Sequence, residues 1–385
     1  MTGRGRNVDF DLHGFVRVRA VDADQRDVRM LRRQLGLDCS DSSGEPDLTV
    51  RFVDSFAPNP LSYAGVGEAG SDGESFYLLR GKQGLRARTR LAFDRIGAPG
   101  FHVVCERGVG AVPHLLSLVN LAALAKGVLP LHASAFVLDG RGVLATGWSK
   151  GGKTETLLAF AQHGARYVGD EWVYLTAEGE MRGLPEPIRL WYWHLRQLPG
   201  TWRALPLVTR ARLTALDTAA GMAERAARRS PAAPASVLRR GAPVLGRQAY
   251  RQIPPAELFG PDGTVSGARL EALLLVTVHD RPGVEVHPVD GGVVADRMRA
   301  SLAEERSAFL AHYRQFRYLF PDRCSEVLDR AEEIEAKFLT ALFAGRPAYE
   351  VRHPYPFRLA DLVDPVRAAL DHLTDIASNA PGETS

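Results

Sequence analysis

Hydrophobic and polar positions change rhythm twice along this chain. Up to about Ala111 the apolar residues come in short runs. Leu48-Thr49-Val50-Arg51-Phe52-Val53 alternates as a half-buried strand does, and Ser75 to Leu79 and Phe101 to Cys105 read alike. Turns rich in Gly, Asp and Ser, such as Glu68 to Glu74, separate them. Residues 1–111 are therefore expected to form a β-rich lobe. The rhythm then lengthens. Pro113 to Lys126 predicts a helix stopped by Gly127. The whole apolar run Leu115 to Leu131 is broken by Asn120, Lys126 and Pro130, falls short of the ~20 residues that span a bilayer, and reads as a buried helix. Two strands follow, His132 to Leu138 and Gly142 to Thr146, joined by the hairpin turn Asp139-Gly140-Arg141. A helix over Lys153 to His163 and a strand over Arg166 to Val168 come next. Further on, Glu271 to Val278 predicts a buried strand, and Val293 to Tyr318 and Cys324 to Phe343 predict long helices.

The second change falls within this region. Between about residues 204 and 255 the chain turns to Ala, Arg and Pro, as in Ala226-Ala227-Arg228-Arg229-Ser230-Pro231, with Arg239, Arg240 and Arg247 beyond. That composition suits a solvated insertion, or a basic lid or docking surface for phosphates or an acidic substrate. The surrounding residues 112–378 read as one α/β domain, and 379–385 as a disordered tail.

Composition narrows the class only slightly. With 385 residues, 45% hydrophobic and 24% charged, the chain can bury a full core without staples. A net charge of +3 does not by itself imply nucleic acid. Cys39, Cys105 and Cys324 are far apart and show no C-x-x-C spacing, so neither a disulfide framework nor a zinc site is expected. Met1 to Gly14 has no apolar signal core. The expected setting is the cytoplasm, with no membrane and no nucleic-acid partner; the sequence allows a homo-oligomer without requiring one.

The chemistry is concentrated at Gly147-Trp148-Ser149-Lys150-Gly151-Gly152-Lys153-Thr154, a full G-x-x-x-x-G-K-[ST] phosphate loop. Gly147, Gly151 and Gly152 let the backbone turn several N–H groups towards one phosphate. Ser149 and Lys150 lie within the same cradle, and Lys150 reaches either phosphate or solvent. The helix starting near Lys153 adds the positive end of its dipole. Lys153 offers a point charge to the β- and γ-phosphates, and Thr154 a hydroxyl to magnesium. An apolar strand before the loop and a helix after it supply the required context. ATP with Mg2+ is the expected ligand.

Asp170-Glu171 closes the next strand. A carboxylate at such a strand end can hold magnesium, or take a proton from an attacking hydroxyl or water. Two adjacent acids could divide those tasks. His132, at the start of the earlier hairpin, reads from spacing alone as a structural histidine.

Taken together, Leu131-His132-Ala133-Ser134-Ala135, the loop Gly147 to Thr154 and Gly169-Asp170-Glu171 resemble the HPr kinase/phosphorylase family in order and spacing. The resemblance implies a mixed β-sheet kinase core of the phosphoenolpyruvate-carboxykinase type and transfer of a γ-phosphoryl group to a serine hydroxyl. It implies that Asp170 is the general base and that His132 lies near the transferred group, which leaves Thr154 and Glu171 as the expected metal side chains. The chain departs from the family pattern at Lys150, where glycine is usual, and at Glu171, where a second aspartate is usual. The family's later acid-x-Arg-Gly signature has no convincing counterpart: Glu180-Met181-Arg182-Gly183 has the letters but comes too soon. Support for a reverse phosphorylase reaction, or for HPr as substrate, is accordingly lacking. Divergent relatives phosphorylate a serine of peptide precursors, and the chain looks closer to that branch. The expected activity is an ATP-dependent kinase acting on a serine of a peptide or protein. A nucleotide-binding switch without transfer, and a small-molecule kinase on the same fold, are the alternatives.

Overall fold

The computed structural model describes residues 6–40, 44–65, 68–80, 87–229 and 248–378. Strands β1 (Arg6–Leu12), β2 (Val16–Ala23), β3 (Leu48–Val53), β4 (Ser62–Tyr63), β5 (Ala69–Ser71), β6 (Phe76–Arg80), β7 (Ala87–Leu91) and β8 (Phe101–Glu106) form one sheet in the order β1-β2-β3-β8-β7-β6-β5-β4. Helix α1 (Gln25–Leu35) crosses between the parallel strands β2 and β3. Asp24 caps it, accepting from the N–H groups of Arg26 and Asp27, while Asp27 bonds back to the Asp24 N–H; Gly36 ends it at φ 64. Its apolar face, with Val28, Leu31 and Leu35, is buried on the sheet.

Helix α2 (Leu115–Ala125) leads into β9 (Leu129–His132), β10 (Ser134–Leu138), β11 (Arg141–Thr146), helix α3 (Lys153–Ala161), β12 (Arg166–Gly169), β13 (Trp172–Leu175), β14 (Glu180–Gly183) and β15 (Ile188–Trp191). Three helices follow, α4 (Tyr192–Gln197), α5 (Pro199–Ala204) and α6 (Leu207–Arg229). Beyond lie β16 (Tyr250–Ile253), α7 (Pro255–Phe259), β17 (Ala268–Val278), β18 (Glu285–Pro288), α8 (Gly291–Leu319), α9 (Glu326–Phe343), β19 (Ala348–His353) and α10 (Ala360–Ser378). The second sheet runs β12-β10-β11-β17-β14-β13-β9, with β19 pairing β17 and β18. It is mixed: β11, β17 and β19 are parallel, and the other pairs are antiparallel. The molecule is thus a mixed α/β protein.

Alternate residues of the central strands enter different cores. Ala135, Val137, Leu144, Leu273 and Leu275 join the core shared with α2, α8, α9 and the first sheet. Phe136, Leu138, Val143, Ala145, Leu274 and Val276 join the core under α3 and α10. Burial on both faces is why these strands read as unbroken apolar runs.

Three expectations need correction. The stretch His132 to Leu138 is two strands that part at Ala133, not one. The run Leu115 to Leu131 is a helix only to Ala125; Leu129 and Leu131 then sit buried in a strand. The Ala/Arg/Pro-rich stretch contains helix α6, whose Leu207, Val208 and Met222 are exposed. Arg239, Arg240, Arg247 and the tail 379–385 lie outside the described residues. Among the described residues no helix is long and apolar enough to cross a membrane, and Cys39, Cys105 and Cys324 are free thiols.

Candidate active site

The phosphate loop leaves the end of β11 and is held down by its neighbours. A Cβ on Gly147 (φ 147) would lie 2.4 Å from the Val276 carbonyl oxygen of β17. One on Gly152 (φ 106) would lie 2.2 Å from Nε2 of the buried His353. Any side chain at either place would lift the loop off the sheet. The Gly151 N–H donates to the Trp148 carbonyl at 3.0 Å, which tightens the turn. Lys153 is buried, and its ammonium donates to the carbonyls of Gly147 (3.2 Å) and Trp148 (3.0 Å). Burial holds its pKa below the usual lysine value, against the pull of Glu305, Glu171 and Asp170. Helix α3 begins at Gly152 with no side-chain cap, so its first N–H groups are uncapped by any side chain. Ser149 is half-buried. Lys150 is exposed at φ 64, and its side chain makes no hydrogen bond or ion pair among the described residues.

Opposite the loop, two breaks in the sheet face each other. The chain changes partner at Ala133, between β9 and β10, and at Asp170-Glu171, between β12 and β13. The Ala133 N–H donates to the Glu171 carbonyl at 3.2 Å and ties the breaks together. Gly169 and Gly183 meet without side chains; a Cβ on Gly183 would lie 2.2 Å from the Gly169 Cα. The Glu180-Met181-Arg182-Gly183 segment is therefore strand β14, pressed against the end of β12. His13, in the β1–β2 turn, donates to the Gly183 carbonyl at 2.8 Å, so the first sheet abuts this corner as well.

The two acids point to different surroundings. Asp170 is 3% exposed. Its Oδ1 accepts from the Ser134 hydroxyl at 2.5 Å, and the Thr154 hydroxyl lies 3.1 Å from both of its oxygens. Burial, then the charge of Glu171, pushes its pKa up to about 6. Glu171 adopts φ 64, which swings its exposed carboxylate towards His132, 3.1 Å from Nε2. The His132 Nδ1 meets Glu305 of helix α8. Burial alone would lower the imidazole pKa, but hydrogen bonds to Glu171 and Glu305 outweigh it and raise the pKa to about 9. At neutral pH both ring nitrogens thus donate, and His132 is a cation between two carboxylates whose pKa values it holds down. The Trp172 ring stands 5.8 Å from it.

All the expected site residues thus gather at one end of the second sheet. One contact differs from expectation: the Thr154 hydroxyl faces Asp170, whereas Glu171 faces His132. Three further residues, given no role in the sequence reading, act at this site. Ser134 and Glu305 are bonded to it directly. Glu186, in the loop after β14, has its pKa raised to about 7 by burial and then by Glu171 and Asp170. Around the loop's helix, the Trp191 N–H donates to Nδ1 of His194, so its Nε2 donates to Glu155 at 3.1 Å, a buried pair behind α3. Among the described residues no group of three His, Cys, Asp or Glu is arranged to hold a metal. A magnesium ion would fit as it does beside many nucleotides, on one or two protein oxygens plus phosphate and water.

No known protein family's sequence profile matches the chain, and no curated protein matches it. Among solved structures, the Hpr(Ser) kinase/phosphatase from Coxiella burnetii is similar over 65% of this chain and 94% of its own, at 13% identity and a TM-score of 0.25. An overlap that loose assigns neither fold nor function.

Proposed function

We propose that the chain is an ATP-dependent phosphotransferase that moves a γ-phosphoryl group to a serine hydroxyl of a peptide or protein. The observation that carries this reading is the contact between the loop's Thr154 hydroxyl and Asp170. It joins an anion cradle to a buried carboxylate that is largely ionised at neutral pH. Lys153 and the loop N–H groups hold the phosphates. The Thr154 hydroxyl donates a hydrogen bond to Asp170, which leaves its oxygen lone pairs free to face Mg2+; when bound, the ion would neutralise phosphate charge. Oδ1 of Asp170 also accepts a hydrogen bond from the Ser134 hydroxyl, so Oδ2 is assigned to accept the acceptor's proton. The His132 imidazolium supplies fixed positive charge beside the cradle, and Glu171 and Glu305 keep it protonated.

Intact-mass analysis after incubation of the protein with ATP, Mg2+ and serine-containing peptides encoded beside its gene tests the proposal. A gain of one phosphate on a serine supports it. Phosphate found only on small acids or alcohols would point instead to a small-molecule kinase, and ATP binding without transfer to a nucleotide switch.

A further inference from the structure

An open cleft of about 1010 Å³ separates helix α1 from the loop after β14. Pockets for small ligands run to roughly 300–1,000 Å³, so this one stands at the top of that range. One wall is the outer face of α1, where Arg26, Arg29 and Arg33 recur at helical spacing and are exposed. None of the three side chains makes a hydrogen bond or ion pair within the described structure. Neighbouring charges are already engaged. Arg107 binds Asp27 and Asp54, Arg32 bonds the Cys39 sulfur, and the Asp24 carboxylate caps the helix. The opposite wall is Pro185-Glu186-Pro187.

One wall of the cleft is tied to the proposed transfer site. A Cβ on Gly36, at the end of α1, would lie 2.9 Å from the Glu186 Cβ, so helix and loop meet there. The loop hangs from the strand that follows the acid pair: the Leu184 N–H donates to the Trp172 carbonyl at 3.0 Å, one residue beyond Glu171. Glu186 is close enough to feel the charges of Glu171 and Asp170.

We propose that this cleft is the docking groove for the acceptor, and that it takes an extended, acidic stretch of polypeptide laid along Arg26, Arg29 and Arg33. The proposal rests on the phosphotransferase reading above and names the substrate class for it. Spacing and chemistry both favour a peptide. The three arginines span about 10 Å of helix, and their long side chains can splay to meet acidic groups at alternate positions of an extended chain, which span about 13 Å. Among the described residues lining the cleft there is no aromatic side chain on which a base could stack. Proline-flanked apolar surface beside arginines instead suits a peptide's mixed surface.

Fluorescence anisotropy with the full chain decides it. The probe is a labelled peptide of alternating Asp and Ser. Its comparators are an alternating Lys-Ser peptide and a single-stranded DNA of similar length. Binding of the acidic peptide should weaken by about tenfold or more in R26E/R29E/R33E, and by less in R26Q/R29Q/R33Q. Near-UV circular dichroism establishes that each variant is folded, and the neutral variant keeps the test valid if the reversed one is not. Equal binding of the acidic peptide to wild type and to the folded variants overturns the proposal, as does no binding to wild type. Tighter binding of the DNA also overturns it, in favour of a nucleic-acid surface. Nucleotide binding, followed on the same wild-type protein, reads the phosphate loop separately: its absence would overturn the phosphotransferase reading while the peptide measurement still decides the cleft.

Discussion

The phosphate loop and the acid corner meet at Thr154, but they are built by opposite means. The loop is eight consecutive residues whose backbone does the work, and its one buried charge, Lys153, is pushed towards neutrality by burial. The corner is assembled from His132, Ser134, Asp170-Glu171 and Glu305, brought from three separate stretches of chain. Within it, burial wins at Asp170, whose pKa rises to about 6 with the charge of Glu171 adding to it, because its hydrogen-bond donors, the Ser134 and Thr154 hydroxyls and the Glu171 backbone N–H, are all neutral. Pairing wins at His132, whose pKa rises to about 9, because two carboxylates face it. A charge with a partner stays a charge when buried, whereas one without a charged partner is poised to exchange a proton.

The loop half of this comparison breaks most severely at its ammonium. Lys153→Met should lower kcat by roughly 10²–10³-fold and weaken nucleotide binding, since a preorganised charge is lost from the cradle. Steady-state kinetics and calorimetric titration with ATP would measure both. At the corner, His132→Gln should cost about 10²-fold in kcat. In the wild type the rate should rise as pH climbs through about 6, where Asp170 ionises, and fall as pH passes about 9, where His132 loses its proton. The glutamine variant should keep the first limb and lose the second.

Glu305→Gln sharpens the same point with a smaller effect. It should cost about tenfold or less, and the alkaline limb should move to lower pH, because one of the two carboxylates holding the His132 proton is gone. A merely structural role would lower the rate without moving that limb. The smallest effect concerns stability. Asp170's folded pKa stands above its ordinary value of 3.8, so what it contributes to stability is fully present below that value and is lost as pH rises through about 6. Asp170→Asn should therefore raise Tm by a few degrees, about 2–4 °C, at pH 8 and not at pH 3. Thermal unfolding at the two pH values would show it.

The loop could be read from sequence because its geometry demands glycine, lysine and threonine at a set spacing in one contiguous stretch. The acid pair was legible only through its order relative to the loop. Ser134 and Glu305 were not legible, since their bonds to the corner span 36 and 173 residues. The break at Ala133 left no trace, because strands buried on both faces carry no change of period where they change partner. Helix α1 did leave signals in a region whose pattern reads as strands and turns, namely Asp24 before it, Val28, Leu31 and Leu35 on one face, Arg26, Arg29 and Arg33 on the other, and Gly36 after it. Those same arginines line the cleft.

The most direct test of the central claim is a paired measurement on Asp170→Asn: ATP-Mg2+ affinity by calorimetry, and γ-phosphoryl transfer from labelled ATP to the peptide pool the wild type uses. The account predicts affinity within a few-fold of wild type and transfer reduced by roughly 10³-fold or more. Transfer at the wild-type rate would contradict it, since Asp170 would then not be the group that takes the proton.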